Sequence, residues 1–349
     1  MSQSNENADG VISTEKNEHS TDRVTTPDEL EEKRDAEEAE LDLKERSGDA
    51  VERNQFNLDD LPEDETNIDL TMTRADHIPS LGKFKKLDSL CVRNNLLSVI
   101  SPTIVDLTTL TSLDLYENQL TKIENLDRLV NLTELDLSYN RIRKIEGLEC
   151  LVNLKTLYLV HNKISVIEGL EKLTKLTLLE LGDNRIRKLE NLETLLQLET
   201  LYLGKNNIRK IENIGGLTNL RSLSVPGNRL VKIEGLETLT RLEELYLSDQ
   251  GLENLDGLES LTTLTMLDVS GNKITTFSEI KNLTRLEDFW ANDNQVSSWN
   301  EVEKLANLQH LSTVYLERNP IYRQDVGAYR RKVMLNVPQV SQIDATMCK

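Results

Sequence analysis

Leu132 to Asn153 reads LTELDLSYNRIRKIEGLECLVN, and the stretch recurs with small changes along most of the chain. Its large apolar side chains are Leu132, Leu135, Leu137, Ile142, Ile145, Leu148 and Leu151, with Asn140 between the third and the fourth, a pattern L-x-x-L-x-L-x-x-N. One such unit cannot bury that much apolar surface alone. Copies stacked side by side merge the Leu and Ile columns into one continuous core, so the pattern predicts a solenoid that grows by adding rungs.

Full copies start at Leu87, Leu110, Leu132, Leu154, Leu176, Leu198, Leu220, Leu242, Leu264, Leu286 and Leu311, with a weaker polar rung at Glu65. The spacing is 22 residues except after Leu87 (23) and after Leu286 (25), where the extra residues are expected to loop out on the convex side or a rim. Within each copy L-x-x-L-x-L alternates core and solvent, which predicts a short strand paired in parallel with its neighbours about 4.8 Å away. The return segment, such as Ile145 to Leu151, is too short for a long helix and predicts 3₁₀ or irregular turn. The expected fold is therefore an α/β repeat solenoid: a leucine-rich-repeat horseshoe with a parallel concave β-sheet, a 3₁₀ or irregular convex side and about twelve repeats. Asn95, Asn118, Asn140, Asn162, Asn184, Asn206, Asn228, Asn272, Asn294 and Asn319 form a column expected to turn inward and bond the backbone of adjacent turns; only Gln250 breaks it. Lys-Ile-Glu in the return segments reads as a solvated face with weak rung-to-rung ion pairs.

Three parts follow: an acidic tail at 1–64, repeats at 65–320 and a cap at 321–349. The tail holds 21 Asp plus Glu against 7 Lys plus Arg, a composition expected to stay disordered. The cap is expected to contain an amphipathic helix, Asp325 to Leu335, and a closing strand-like segment around Val340 and Ile343. MSQSNENADG at the start has neither a basic cluster nor an apolar run, so no secretory signal is expected, and no stretch reaches the roughly 18 apolar residues of a membrane span. Cys91, Cys150 and Cys348 are odd in number and far apart, which favours a reducing compartment, and no histidine stands at metal-ligand spacing from a cysteine. No metal or cofactor is expected. Net charge is −19, so nucleic-acid binding is disfavoured.

Solvent-facing residues between the second and third leucines should line the concave surface. In order they are Asp69, Cys91, Asp114, Asp136, Tyr158, Glu180, Tyr202, Ser224, Tyr246, Asp268, Trp290 and Tyr315. Five of the twelve are aromatic, where 4% chain-wide predicts about half of one; five are acidic and none is basic. Strand propensity accounts for Tyr and Trp alone, but not for their pairing with acids and the exclusion of bases. Aromatic anchors amid charge point to a protein-binding face. Catalysis finds no support: Asp268 and Asp288 are expected on an open surface, without a nucleophile-base pair or phosphate loop.

At these residues the sequence resembles a known family, the leucine-rich regulatory subunit 7 of protein phosphatase 1. The resemblance covers about residues 60 to 349. Its more specific carriers are Phe289-Trp290 with Asn292-Asp293-Asn294, Val314-Tyr315-Leu316-Glu317-Arg318-Asn319-Pro320, Tyr329-Arg330-Arg331-Lys332-Val333-Met334-Leu335 and Gln342-Ile343-Asp344-Ala345-Thr346. The family grips the phosphatase catalytic subunit through a row of acids and aromatics, which the resemblance carries onto Asp136, Tyr158, Glu180, Tyr202, Asp268, Asp288, Trp290 and Tyr315. Tyr246 joins them from the column alone. Tyr158 and Tyr202 stand where the family more usually has Phe, and Asp288 where it has Glu. The resemblance further implies a non-catalytic regulator that restrains or matures the phosphatase with inhibitor 3, a nuclear and cytoplasmic location, and a role in chromosome segregation. The free chain is expected to be a monomer. The alternative reading is a leucine-rich scaffold for another intracellular complex, spliceosomal or axonemal and microtubule-bound.

Overall fold

The computed structural model describes Leu58, residues 60–78 and residues 80–348, all within the compact unit Arg53–Lys349. The tail expected at 1–64 lies outside the described residues up to residue 57 and at residue 59. Leu58, the first described residue, is buried, and Lys83 Nζ donates to its carbonyl at 2.6 Å.

Twelve three-residue strands follow at the predicted spacing: β1 (Asn67–Asp69), β2 (Ser89–Cys91), β3 (Ser112–Asp114), β4 (Glu134–Asp136), β5 (Thr156–Tyr158), β6 (Leu178–Glu180), β7 (Thr200–Tyr202), β8 (Ser222–Ser224), β9 (Glu244–Tyr246), β10 (Met266–Asp268), β11 (Asp288–Trp290) and β12 (Thr313–Tyr315). Each pairs in parallel with the next in unbroken sequence order, like residue opposite like residue. The middle residue of each strand is buried, and with the Leu and Ile columns of the returns it makes one core running the length of the described unit. This is the expected parallel solenoid.

The asparagine column behaves as its chemistry requires. Asn184 is buried; its Nδ2 donates to the carbonyls of Leu159 (2.8 Å), Leu181 (3.1 Å) and Gly182 (3.1 Å), and its Oδ1 accepts from Ile164 N–H at 3.0 Å. Gln250 reproduces the reach to the preceding rung, donating to Val225 O at 2.5 Å and accepting from Leu230 N–H at 2.9 Å. A second column meets the same close approach by another device. At Gly169 the backbone turns left-handed (φ +69°) and an added Cβ would lie 2.5 Å from Ile145 O, whereas Asn191 in the next rung (φ 58°) donates its Nδ2 to Ile167 O at 2.6 Å.

Several expectations need correction. The Lys-x-Glu charges pair within one turn, not rung to rung: Lys144 with Glu146 at 3.6 Å and Lys188 with Glu190 at 3.4 Å, because residues two apart on an extended return point the same way. Both lysines are more than half exposed, so each pair contributes little. The extra residues after Leu87 and Leu286 do not merely loop out. The first set forms a 3₁₀ turn, Pro102–Asp106, capped by Ser101; the second forms helix α1 (Trp299–Lys304), capped by Ser298 and running into a 3₁₀ turn, Leu305–Asn307.

In the cap, α2 (Pro320–Gln324) precedes the expected helix, which runs as α3 (Val326–Asn336) with Tyr329 and Val333 turned inward. The strand-like segment is β13 (Gln342–Ile343), parallel to β12, and β14 (Thr346–Met347) then returns antiparallel, an addition to the all-parallel expectation. The tight turn between them has Asp344 at φ 50°. Asp344 Oδ1 accepts from Leu316 N–H (2.9 Å) and Glu317 N–H (3.1 Å), and Tyr329 Oη donates to Oδ2 at 3.0 Å. Arg330 closes the end by donating to the carbonyls of Ile343 (3.0 Å) and Met347 (2.6 Å).

Candidate protein-binding face

Strand alternation sends the first and third residue of every strand to the face opposite the core. Among the 24 such residues of β1 to β12, eight are acidic and none is Lys or Arg. All nine residues singled out from the sequence sit on this one face. Asp136, Tyr158, Glu180 and Tyr202 follow one another in register on β4 to β7, and Tyr246, Asp268, Trp290 and Tyr315 do so on β9 to β12, with Asp288 two residues before Trp290. Glu134 and Glu244 belong to the same face, and the sequence reading missed them because it followed only the third strand position.

The face is less open than expected. Asp268 is only 7% exposed, flanked in register by Tyr246 and Trp290, and its Oδ1 accepts from Ser270 N–H (2.9 Å) and Ser270 Oγ (2.6 Å). Trp290, expected to stand exposed, is half-buried; its ring lies 5.4 Å from that of Tyr315, and its indole N–H is buried without an acceptor. Large rings on adjacent strands about 4.8 Å apart lie against one another and cover the short side chain between them.

The acids divide by length. Asp69, Asp114, Asp136 and Asp268 each accept the backbone N–H two residues on, at 2.8–3.0 Å, so the short carboxylate also ends its own strand. Glu180, one methylene longer and followed by Gly182, makes no such turn among the described contacts. Its carboxyl is pushed up from the ordinary Glu range, first by burial and then by the charge of Asp136. Burial also raises Asp114, and it raises the Tyr158 phenol, with Glu134, Glu180 and Asp136 adding to the effect. Tyr246 is pushed up to about 12 by burial and by Glu244, whose carboxylate accepts from its hydroxyl at 3.5 Å.

Like charges held this close oppose folding of the free chain. A raised folded pKa means that the Glu180 contribution to stability is present below the unfolded pKa and is lost as pH rises through the folded value. Glu180→Gln is therefore expected to raise the melting temperature at pH 7 and to leave it unchanged near pH 3; a lower melting temperature at pH 7 would show a favourable role for the carboxylate.

At the middle of the face a depression of about 440 Å³ opens where small residues fall together. Glu180, Tyr202, Ser224 and Tyr246 border it from the strands, and Gly182 and Gly204 leave its side low. Tyr139, Asp183 and Lys205 border it from the turns. Tyr139 also belongs to a stack along the rim that sequence reading missed. Arg93 lies 4.3 Å over the Tyr116 ring, Tyr116 is 4.9 Å from Tyr139, Tyr139 is 4.7 Å from His161, and His161 Nδ1 meets Asp183 Oδ2 at 2.6 Å. Arg93 and Tyr116 stand two residues after their strands and Tyr139, His161 and Asp183 three after theirs, so two adjacent turn columns were the available signal. Among the described residues no cluster of His, Cys, Asp or Glu could hold a metal ion.

A family model described as leucine-rich repeats matches residues 108–150, 130–162, 152–194, 196–238, 218–260 and 240–282. The chain is a leucine-rich-repeat protein. Solved structures place this repeat protein in the same fold: an internalin of Listeria monocytogenes superposes with a TM-score of 0.65 over 81% of this chain and 87% of that one, at 22% identity. The leucine-rich-repeat domain of APL1B superposes at 0.63, over 81% and 82%, at 21% identity. Curated relatives sharpen the likeness. This repeat protein is 59% identical over 83 residues to the protein phosphatase 1 regulatory subunit SDS22 homolog of Caenorhabditis elegans, 24% of this chain and 26% of that protein. It is 43% identical over 76 residues to the protein phosphatase 1 regulatory subunit SDS22 of Schizosaccharomyces pombe, 21% of this chain and 22% of that one. It is also 59% identical over 39 residues to the human protein phosphatase 1 regulatory subunit 7, 11% of this chain and 10% of that one. The matched stretches thus span about a quarter or less of those relatives, and the resemblance to leucine-rich regulatory subunit 7 holds over them.

Proposed function

We propose that the chain is a non-catalytic regulatory subunit that binds the catalytic subunit of protein phosphatase 1 through the strand face and controls its activity or maturation. The observation that carries this reading is a base-free face of acids and aromatics in register, on a repeat protein whose relatives are named regulatory subunits of that phosphatase. Carboxylates on such a face complement a basic patch, which sets partner choice and encounter rate, while Tyr158, Tyr202, Trp290 and Tyr315 supply ring area as anchors. Inhibitor 3 in a ternary complex, a nuclear and cytoplasmic location, a role in chromosome segregation and a monomeric free chain belong to the same proposal and rest on the resemblance.

The test is titration of the purified catalytic subunit against the full chain and its charge reversals. Asp288→Lys, on the face, is expected to weaken binding by at least about tenfold. Glu212→Lys, on a return segment beside Lys210, is expected to change it little. Equal binding by wild type and Asp288→Lys would overturn the assignment of the face, and no binding by wild type would overturn the partner.

A further inference from the structure

The run of acids and rings on the strand face is interrupted at β8. Tyr202 and Tyr246 hold the third strand position on β7 and β9, and Ser224 lies between them in register on β8. Two strand spacings put the rings about 9.6 Å apart, so a flat group midway meets each at about 4.8 Å, inside the roughly 6 Å reach of a cation–π contact. Two other gaps of this kind on the face are filled. Glu180 occupies the one between Tyr158 and Tyr202, and Asp268 lies buried in the one between Tyr246 and Trp290. Over Ser224 the gap stays open, as part of the depression of about 440 Å³. Acids prevail around it. Glu180 borders the depression, as does Asp183, which already meets His161 at 2.6 Å, against a single base, Lys205, on the turn side. Beside the slot, Glu244 accepts from Ser222 Oγ (2.9 Å) and Tyr246 Oη (3.5 Å), both through Oε2, which among the described contacts leaves Oε1 for a further donor.

We propose that this slot receives one arginine side chain of the partner held on the strand face, its guanidinium stacked between Tyr202 and Tyr246 and hydrogen-bonded to Ser224 and Glu244. The inference rests on the strand-face reading and names a contact within it. Shape and charge together select the occupant. A guanidinium is planar, so it lies flat between two rings, and it is weakly hydrated, so leaving water costs it less than it costs an ammonium. Its fork of donors meets a carboxylate and a hydroxyl without turning out of the plane of the rings. A lysine brings the charge without the plane. A neutral ring brings the plane but offsets neither Glu180 nor Glu244. Glu180, whose carboxyl is held above its ordinary range by burial and by Asp136, gains in this way a counter-charge that the free chain does not place beside it. Filled, the slot joins the residues on β4 to β7 with those on β9 to β12 into one continuous contact.

N-acetyl-arginine amide titrated into the isotopically labelled full chain is expected to shift the backbone amide resonances of Gly204 and Ser224 saturably, at millimolar concentration. N-acetyl-citrulline amide, of the same shape without the charge, is expected to leave them in place, and N-acetyl-lysine amide to bind several-fold more weakly. Ser224→Tyr fills the slot with a ring, and the fold already holds rings on adjacent strands at Trp290 and Tyr315, 5.4 Å apart. It should abolish the arginine response at Gly204 and weaken the phosphatase catalytic subunit by about tenfold. Tyr246→Leu gives a second variant should the added ring disturb folding: a loss of about tenfold is expected, with Tyr246→Phe retaining most of the binding. Glu212→Lys, on a return segment, should change neither titration. An arginine response that does not saturate, an equal response to citrulline, or wild-type phosphatase binding by a folded Ser224→Tyr would each overturn the slot. Loss of phosphatase binding in Asp288→Lys but not in Ser224→Tyr would remove the slot and keep the strand face, whereas an arginine response without phosphatase binding by wild type would keep the slot and remove that partner.

Discussion

Trp290→Ala is expected to weaken binding of the phosphatase catalytic subunit by about 30-fold or more, the consequence of removing an aromatic anchor worth about 2 kcal/mol. The indole stands on β11 between Asp268 and Tyr315, with the Tyr315 ring 5.4 Å away and Asp288 on the same strand. Its stability effect should be small, because the side chain is half-buried and its N–H already lacks an acceptor. Replacing it removes a desolvated donor as well as apolar contact, and the two changes oppose each other. Trp290→Phe separates them further: it keeps a ring against Tyr315 and removes the unpaired N–H, so it should be at least as stable as wild type. Calorimetric titration with thermal melts run alongside measures both. Wild-type affinity in Trp290→Ala, or lost affinity that tracks lost folding, would remove Trp290 from the interface.

Asn184→Ala is expected to cost about 3 kcal/mol, the upper end of the usual range for a buried polar group that loses its partner. Asn184 satisfies three carbonyls and one N–H spread over its own rung and the preceding one, and alanine replaces none of them. In a repeat array stability is close to a sum of rung and interface contributions, so a break here weakens the interface between these two rungs. Gln250 provides an internal comparison. Its amide bonds Val225 O, Ser248 O and Leu230 N–H, one carbonyl fewer than Asn184 reaches. Gln250→Asn should therefore stabilise, by about 1 kcal/mol. Chemical denaturation of the three proteins gives the comparison, and an unchanged midpoint for Asn184→Ala would show that water fills the lost contacts.

The stack itself was legible in the sequence. A 22-residue period fixes which residues share a column, and since every rung touches only its neighbours, column membership is contact: Leu135 lies beside Leu157 in β4 and β5, as the spacing requires. The same rule read the inward asparagines and put all nine binding candidates on one face. Outside the column, period alone said less. The first strand position carries Glu134 and Glu244, and the turn column carries the Tyr139 and His161 stack, whose members gain meaning only from the residue in the next rung.

Column position states which way a side chain points and leaves open how much of it stays wet. Asp268 and Asp136 occupy equivalent places, yet Asp268 is buried because rings flank it on both sides, whereas Asp136 has Asp114 on one side and remains half-exposed. The depression exists because Gly182, Gly204 and Ser224 happen to be small on neighbouring rungs, and Glu180 titrates high because that packing partly dries its carboxyl beside Asp136. The ends escaped the period altogether: β14, the half-buried Asp344 and the Arg330 clasp close the last rung with contacts that no repeat unit encodes. Sequence alone determined the order, register and outward face, since these follow from a one-dimensional period. Solvent exposure, proton affinity and the closing of the array were decided by the tertiary structure, since they depend on the size and charge of side chains brought alongside by different rungs.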